Sequence, residues 1–152
     1  RHSFPTRRSS DLIVLTPTRE LAVQVCEEMY SLIGKRDLRI SAVYGGASIE
    51  NQVRNIKRGS DIIVGTPGRV MDLMERGVIN LRNLEFFVLD EADEMLSMGF
   101  KGSIDTILEQ TNGQRFTWLF SAPTKRLKRK PRNELIILLL RDSTQNFTTY
   151  IR

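Results

Sequence analysis

The chain has 152 residues, 40% of them hydrophobic and 27% charged, with one cysteine, Cys26. That is about one ordinary globular domain with room for a core; it excludes an internal disulfide, and its longest apolar run, Leu135 to Leu140, is far too short to cross a bilayer, so a cytoplasmic location is expected. The net charge of +5 belongs to the ends, with +2 on residues 1–12, +6 on 123–152 and −3 on 13–122, so it is no argument for an acidic partner of the middle.

Residues 1–12 are Arg/Ser-rich without apolar periodicity and are expected to be an unstructured or artefactual leader. Leu12-Ile13-Val14-Leu15 reads as a short buried strand. After the turn Thr16-Pro17-Thr18, with Thr18 as N-cap, a helix carries Leu21, Val25, Met29, Leu32 and Ile33 on one face and stops at Gly34. Arg39 to Tyr44 is a second strand ending in Gly45-Gly46, and a helix over about Ile49–Lys57 sets Ile49, Val53 and Ile56 on one side. Asp61 to Gly65 is a third strand, broken by Thr66-Pro67-Gly68 and followed by a helix with Val70, Met71, Leu73 and Met74 that ends at Gly77. Phe86 to Leu89 is apolar throughout, as a strand buried on both faces must be, and it runs into Asp90-Glu91-Ala92-Asp93-Glu94. Phe100, Ile104, Ile107 and Leu108 mark another helix, and Phe116 to Phe120 is a fifth strand ending in Ser121-Ala122.

Apolar strands alternating with helical segments define an α/β doubly wound domain with a mostly parallel sheet and helices on both faces. Beyond Ala122 the texture changes to a basic run, a possible helix start at Pro131, an apolar stretch and a weakly strand-like Phe147 to Ile151. Residues 123–152 are therefore a divergent tail or a continuation of the same domain.

In a parallel sheet, ligands bind outside the carboxyl ends of the strands. Asp90 and Glu91 emerge there, where one carboxylate can hold Mg²⁺ and the next can orient a water; the alternative is a solvated acidic turn. Thr16 to Glu20 and Thr66 to Arg69 each join a hydroxyl, an Arg and a helix start, a combination suited to phosphate, although Arg19 or Arg69 alone could be a surface charge. Gly45-Gly46 lets a ligand approach the backbone closely. A row of such contacts would hold a nucleic acid strand without reading its sequence.

The segments Pro17-Thr18-Arg19-Glu20-Leu21-Ala22, Gly45-Gly46, Thr66-Pro67-Gly68-Arg69, Asp90-Glu91-Ala92-Asp93 and Ser121-Ala122 have the order and spacing of the DEAD-box ATP-dependent RNA helicases. Residues 13–122 resemble part of the first of that family's two RecA-like domains, and bacterial cold-shock and ribosome-assembly helicases are most similar. The resemblance implies ATP and Mg²⁺ as cofactors, and RNA and a second RecA-like domain as partners. It implies that Asp90 binds Mg²⁺ through water, Glu91 activates the attacking water, and Asp93 contacts Ser121, with Ala122 in the same coupling motif. Pro17, Thr18, Arg19, Gly46, Thr66, Pro67, Gly68 and Arg69 would line the RNA backbone.

The chain departs from the family pattern in three places. No Gly-rich phosphate loop ending in Gly-Lys-Thr stands before Pro17, which leaves the RecA-like sheet without its first strand, expected to neighbour the strand of Asp90. The Ser-Ala-Thr motif reads Ser121-Ala122-Pro123, and no second RecA-like domain follows. The expectation is therefore a helicase fragment that by itself hydrolyses no ATP; the alternatives are a non-catalytic RNA-backbone-binding module and an inert truncated fragment.

Overall fold

A computed structural model of the chain describes residues 10–121 and the strand Phe147–Ile151. The strands are β1 (Leu12–Leu15), β2 (Ile40–Val43), β3 (Ile62–Gly65), β4 (Phe86–Leu89), β5 (Phe116–Ser121) and β6 (Phe147–Ile151). The helices are α1 (Arg19–Ile33), α2 (Ile49–Lys57), α3 (Pro67–Glu75), α4 (Ala92–Ser97) and α5 (Lys101–Glu109). The strands form one sheet in the order β2-β3-β1-β4-β5-β6, and every pairing is parallel.

Strand alternation sorts the core into two layers. Val14, Val64 and Val88 meet Ala22 and Cys26 of α1 on one face. Ile13, Leu15, Ile63, Phe87, Leu89 and Leu119 meet Val70 and Leu73 of α3, Met95 of α4, and Ile104 and Ile107 of α5 on the other, where α2 adds Ile49, Val53 and Ile56. Each fully buried Leu, Ile or Phe contributes about 1.5–3 kcal/mol of transfer free energy. Helices thus cover both faces of a doubly wound sheet. The chain leaves β1 over one face and leaves β3 and β4 over the other, so neighbouring strands β1 and β4 send their helices apart. That divergence opens a crevice at their carboxyl ends.

Three expectations need correction. Strand β4 is paired along its length with β1 on one side and β5 on the other, so no strand is missing beside Asp90. The strand-like reading of Phe147–Ile151 holds: it pairs with β5 in the register Thr117↔Phe147 and brings the sheet to six strands. The end of the 1–12 leader belongs to the fold: the Ser10 hydroxyl donates to the Ser60 carbonyl at 2.8 Å, and the Asp11 carbonyl accepts from the Glu85 and Phe86 N–H groups, each at 3.0 Å. Leu32 is 78% exposed; it lies at the edge of the stripe formed by Ala22, Cys26, Met29 and Ile33, in the last turn of α1. Between Phe86–Leu89 and α5, the short helix α4 occupies part of what reads in sequence as an acidic turn. The basic run, the possible helix start at Pro131 and the apolar stretch lie outside the described residues.

Candidate functional site

Register brings the strand ends to one level. Leu15 pairs with Gly65 and Leu89, Val43 pairs with Gly65, and Leu89 pairs with Leu119. One residue further on, the Thr16 N–H donates to Gly65, Thr66 to Val43 and Asp90 to Leu15, each at 2.9 Å, which carries the ladder into the turns. Thr16 to Arg19, Tyr44 to Gly46, Thr66 to Arg69, Asp90-Glu91 and Ser121 therefore share the carboxyl edge of the sheet. Ala122 lies outside the described residues.

The two Thr-Pro turns are built alike and bonded differently. In the first, the buried Thr16 hydroxyl donates to the Thr18 carbonyl at 3.2 Å, Pro17 is buried, and the Thr18 hydroxyl oxygen accepts from the Leu21 N–H at 3.3 Å as the N-cap of α1. In the second, Thr66 holds the N-cap position of α3 without a side-chain cap bond, Pro67 is buried in the first turn and Gly68 is exposed. Pro17 and Pro67 thus shape the turns from inside, while Arg19 and Gly68 reach solvent.

The two arginines meet at the Gly45-Gly46 loop. Arg19 Nη1 donates to the Gly46 carbonyl at 3.5 Å, and its guanidinium stands 5.1 Å from the centroid of the Tyr44 ring, within cation–π range. Arg69 Nη1 donates to the Ala47 carbonyl at 3.3 Å and to Gln52 Oε1 at 3.3 Å. Gly46 has φ 77°, a conformation that glycine adopts without strain. Two turns that look independent in sequence are thus joined through this loop. Tyr44 and Gln52, which complete the joint, were missed by sequence reasoning. Gln52 left a signal: it is the polar residue within the i, i+3, i+4, i+7 stripe formed with Ile49, Val53 and Ile56 of α2.

The acidic strand end is compact. Asp90 Oδ1 accepts from the Glu91 N–H at 3.1 Å. Glu91 has φ 52° and ψ 49°, the positive-φ non-glycine residue among the described ones. A left-handed conformation costs such a residue about 1–2 kcal/mol. Partial burial pushes the Glu91 carboxyl above its usual range, and the charges of Asp90, Asp93 and Glu94 push it the same way. Asp93 is buried at 8% exposure in the first turn of α4. No hydrogen bond joins Asp93 to Ser121 among the described residues, although α4 packs beside β5. The two residues sit on adjoining elements.

Mutual repulsion among these carboxylates is the environment that a dication relieves. No group of three or more His, Cys, Asp or Glu side chains among the described residues forms a protein-only metal cage. The donor set fits Mg²⁺, which keeps most of its waters and takes one or two carboxylates. It does not fit the phosphates of a nucleotide by itself, because the 152 residues contain no Gly-x-x-x-x-Gly-Lys-Ser/Thr loop. Among the described residues, no helix is long and apolar enough to cross a membrane.

Residues 3–129 match the DEAD/DEAH box helicase family. The chain is 48% identical over 116 residues to a probable ATP-dependent RNA helicase of Methanocaldococcus jannaschii, a match covering 76% of this chain and 31% of that protein. It is 54% identical over 114 residues to the RNA helicase CrhR of Synechocystis, covering 75% of this chain and 23% of that one. With the DEAD-box ATP-dependent RNA helicase CshA of Bacillus subtilis the identity is 44% over 127 residues, covering 81% and 26%. The crystal structure of a DEAD box protein from Methanococcus jannaschii superposes with a TM-score of 0.80 at 40% identity, over 95% of this chain and 37% of that one. The chain spans less than a third of the length of each curated relative named here.

Proposed function

The chain belongs to the DEAD/DEAH box helicase family, and from that premise we propose that it is part of the N-terminal RecA-like domain of an ATP-dependent RNA helicase, whose whole protein separates short duplexes while consuming ATP. The observation that carries this reading is the meeting of Thr18-Arg19, Gly46, Thr66 to Arg69 and Asp90-Glu91 at one edge of one parallel sheet.

The edge divides by charge. Arg19, Arg69 and the starts of α1 and α3 offer donors to a phosphate backbone, and the Gly45-Gly46 loop lets that backbone come close. Pro17 and Pro67 hold their turns in shape beneath it. On the other side of β1, Asp90 would hold Mg²⁺, and Glu91, its carboxyl already raised, would take the proton of an attacking water in the whole protein. When bound, Mg²⁺ supplies charge neutralisation at nucleotide phosphates. Asp93 and Ser121, with Ala122 beside it, connect the two halves once nucleotide and the second RecA-like domain of the whole protein are in place. A cytoplasmic location accords with these partners.

The test is RNA binding by the 152-residue chain, followed by fluorescence anisotropy on single-stranded RNAs of unrelated sequence. Replacing both Arg19 and Arg69 with Ala should weaken all of them similarly and flatten the salt dependence by about 0.7 in log–log slope for each phosphate that is no longer neutralised. Unchanged affinity would place the binding elsewhere, on the basic tail. The same chain should release no phosphate from Mg²⁺-ATP in response to RNA, since it carries no phosphate loop; measurable turnover would overturn that part.

A further inference from the structure

Gln52 is 6% exposed in a helix whose neighbouring Asn51 and Arg54 face solvent. A buried amide must find partners or pay for losing water, and both ends of this one are used. Its Nε2–H donates to the Tyr44 carbonyl at 2.9 Å, and its Oε1 accepts from Arg69 Nη1 at 3.3 Å. The orientation of the amide is set by chemistry, since a carbonyl can only accept and a guanidinium can only donate.

What distinguishes Gln52 from an ordinary buried polar residue is where its partners lead. Tyr44 is the residue before Gly45-Gly46, and its ring carries the Arg19 guanidinium. Arg69 bonds Ala47, the residue after the glycine pair, through the same Nη1 that bonds Gln52. Arg69 Nε lies 4.0 Å from Asp72, and the side chain is 16% exposed. The hydrogen bonds of Arg69 to Ala47 and Gln52 both run through Nη1, which ties its guanidinium to Gln52 and to the flank of the glycine loop. A single amide thus fixes both flanks of the glycine loop and the plane of one guanidinium.

We propose that Gln52 is a positioning residue for the RNA-facing edge: it acts through Arg69 and the Gly45-Gly46 loop, holding both in the arrangement that a backbone phosphate meets. The inference rests on the RNA reading given above. A Leu or Met in its place would fill the space and bury well, and would leave Arg69 and the Tyr44 carbonyl to find other partners.

The experiment is a double-mutant cycle on the 152-residue chain with Gln52→Met and Arg69→Ala, read by oligouridine RNA affinity below the melting transition and by amide exchange at Gly45, Gly46 and Ala47. Gln52→Met should lose about threefold to tenfold in affinity and speed exchange at the loop, and it should cost nothing more in the Arg69→Ala background, as expected for residues acting through one another. Gln52→Glu, which keeps the acceptor for Arg69, should recover part of the affinity. Losses that add in the double variant, or an affinity that Gln52→Met leaves untouched, would overturn this inference alone. An unsubstituted chain that binds no RNA would overturn the RNA reading on which it stands. A variant too unstable for the titration leaves Gln52→Glu against Arg69→Ala, where additive losses again decide against the proposal.

Discussion

The backbone N–H of Glu91 donates to the carboxylate of Asp90 at 3.1 Å, while Glu91 itself stands in the left-handed region at φ 52°. Strain and charge repulsion are thus concentrated on the one residue expected to handle the attacking water. Such concentrations persist where function selects against relaxation.

A pH dependence follows. The Glu91 carboxyl is raised by burial and by Asp90, Asp93 and Glu94, so the folded state holds its proton more tightly than the unfolded state does. Its contribution to stability is fully present below the usual carboxylate pKa and is lost as pH rises through the raised value. Glu91→Gln should therefore match the parent near pH ~4 and exceed it near pH ~7, by no more than about 0.5 kcal/mol at this exposed position. Urea unfolding at the two pH values measures it, and Mg²⁺ should narrow the neutral-pH gap. A variant less stable than the parent at neutral pH would contradict the repulsion argument.

Cys26 offers a second titration. Burial first, and the charge of Glu27 second, push its thiol up to about 11. The thiolate is the reactive form, and an ordinary thiol ionises near ~8.5. Alkylation by iodoacetamide near pH ~8 should be at least about tenfold slower in the native chain than in urea. The raised value also means that stability present below ~8.5 is lost as pH climbs toward about 11. Equal native and unfolded alkylation rates would show that α1 does not bury this thiol against the sheet.

The strands and helices are legible in the sequence because the apolar runs are short, bounded by turn residues and spaced by helical stripes. The pairing partners are not, since four-residue apolar strands such as Ile62–Gly65 and Phe86–Leu89 carry nothing local that names a neighbour. That is why a gap is expected beside Asp90 where β1 and β5 in fact flank its strand. The site is legible as motifs and opaque as a network. Arg19 and Arg69 can be recognised as cations near helix starts, but their convergence on Gly46 and Ala47 depends on β2 lying beside β3. The Leu32 error has a simpler cause, because apolar residues near a helix end satisfy the periodicity whether or not a sheet lies beneath them.

Gly65 and Gly68 sit three residues apart and should respond oppositely to alanine. A Cβ on Gly65 would collide with the Val43 carbonyl oxygen and approach Val70 Cγ2 to 2.9 Å, and backbone cannot easily give way. Gly65→Ala should cost about 1–3 kcal/mol in urea unfolding. A Cβ on Gly68 meets nothing within 4 Å, so Gly68→Ala in the first turn of α3 should be neutral or stabilising by up to about 1 kcal/mol. If it nonetheless weakens RNA binding, the open space above Gly68 is needed by the ligand; unchanged affinity would remove Gly68 from the interface.

Thr18 and Thr66 supply the sharpest separation of folding from binding. Both precede a helix at the same edge, yet only Thr18 accepts a cap bond, from Leu21 N–H at 3.3 Å, while Thr66 caps with its backbone alone. Thr18→Ala leaves that N–H to water and should cost about 1 kcal/mol. Thr66→Ala removes no such bond and should change stability by less than about 0.5 kcal/mol. If each hydroxyl donates to a phosphate, both substitutions should lower RNA affinity by comparable factors despite unequal stability costs. Affinity losses that simply follow the stability losses would mean that the hydroxyls build the turns and touch no RNA.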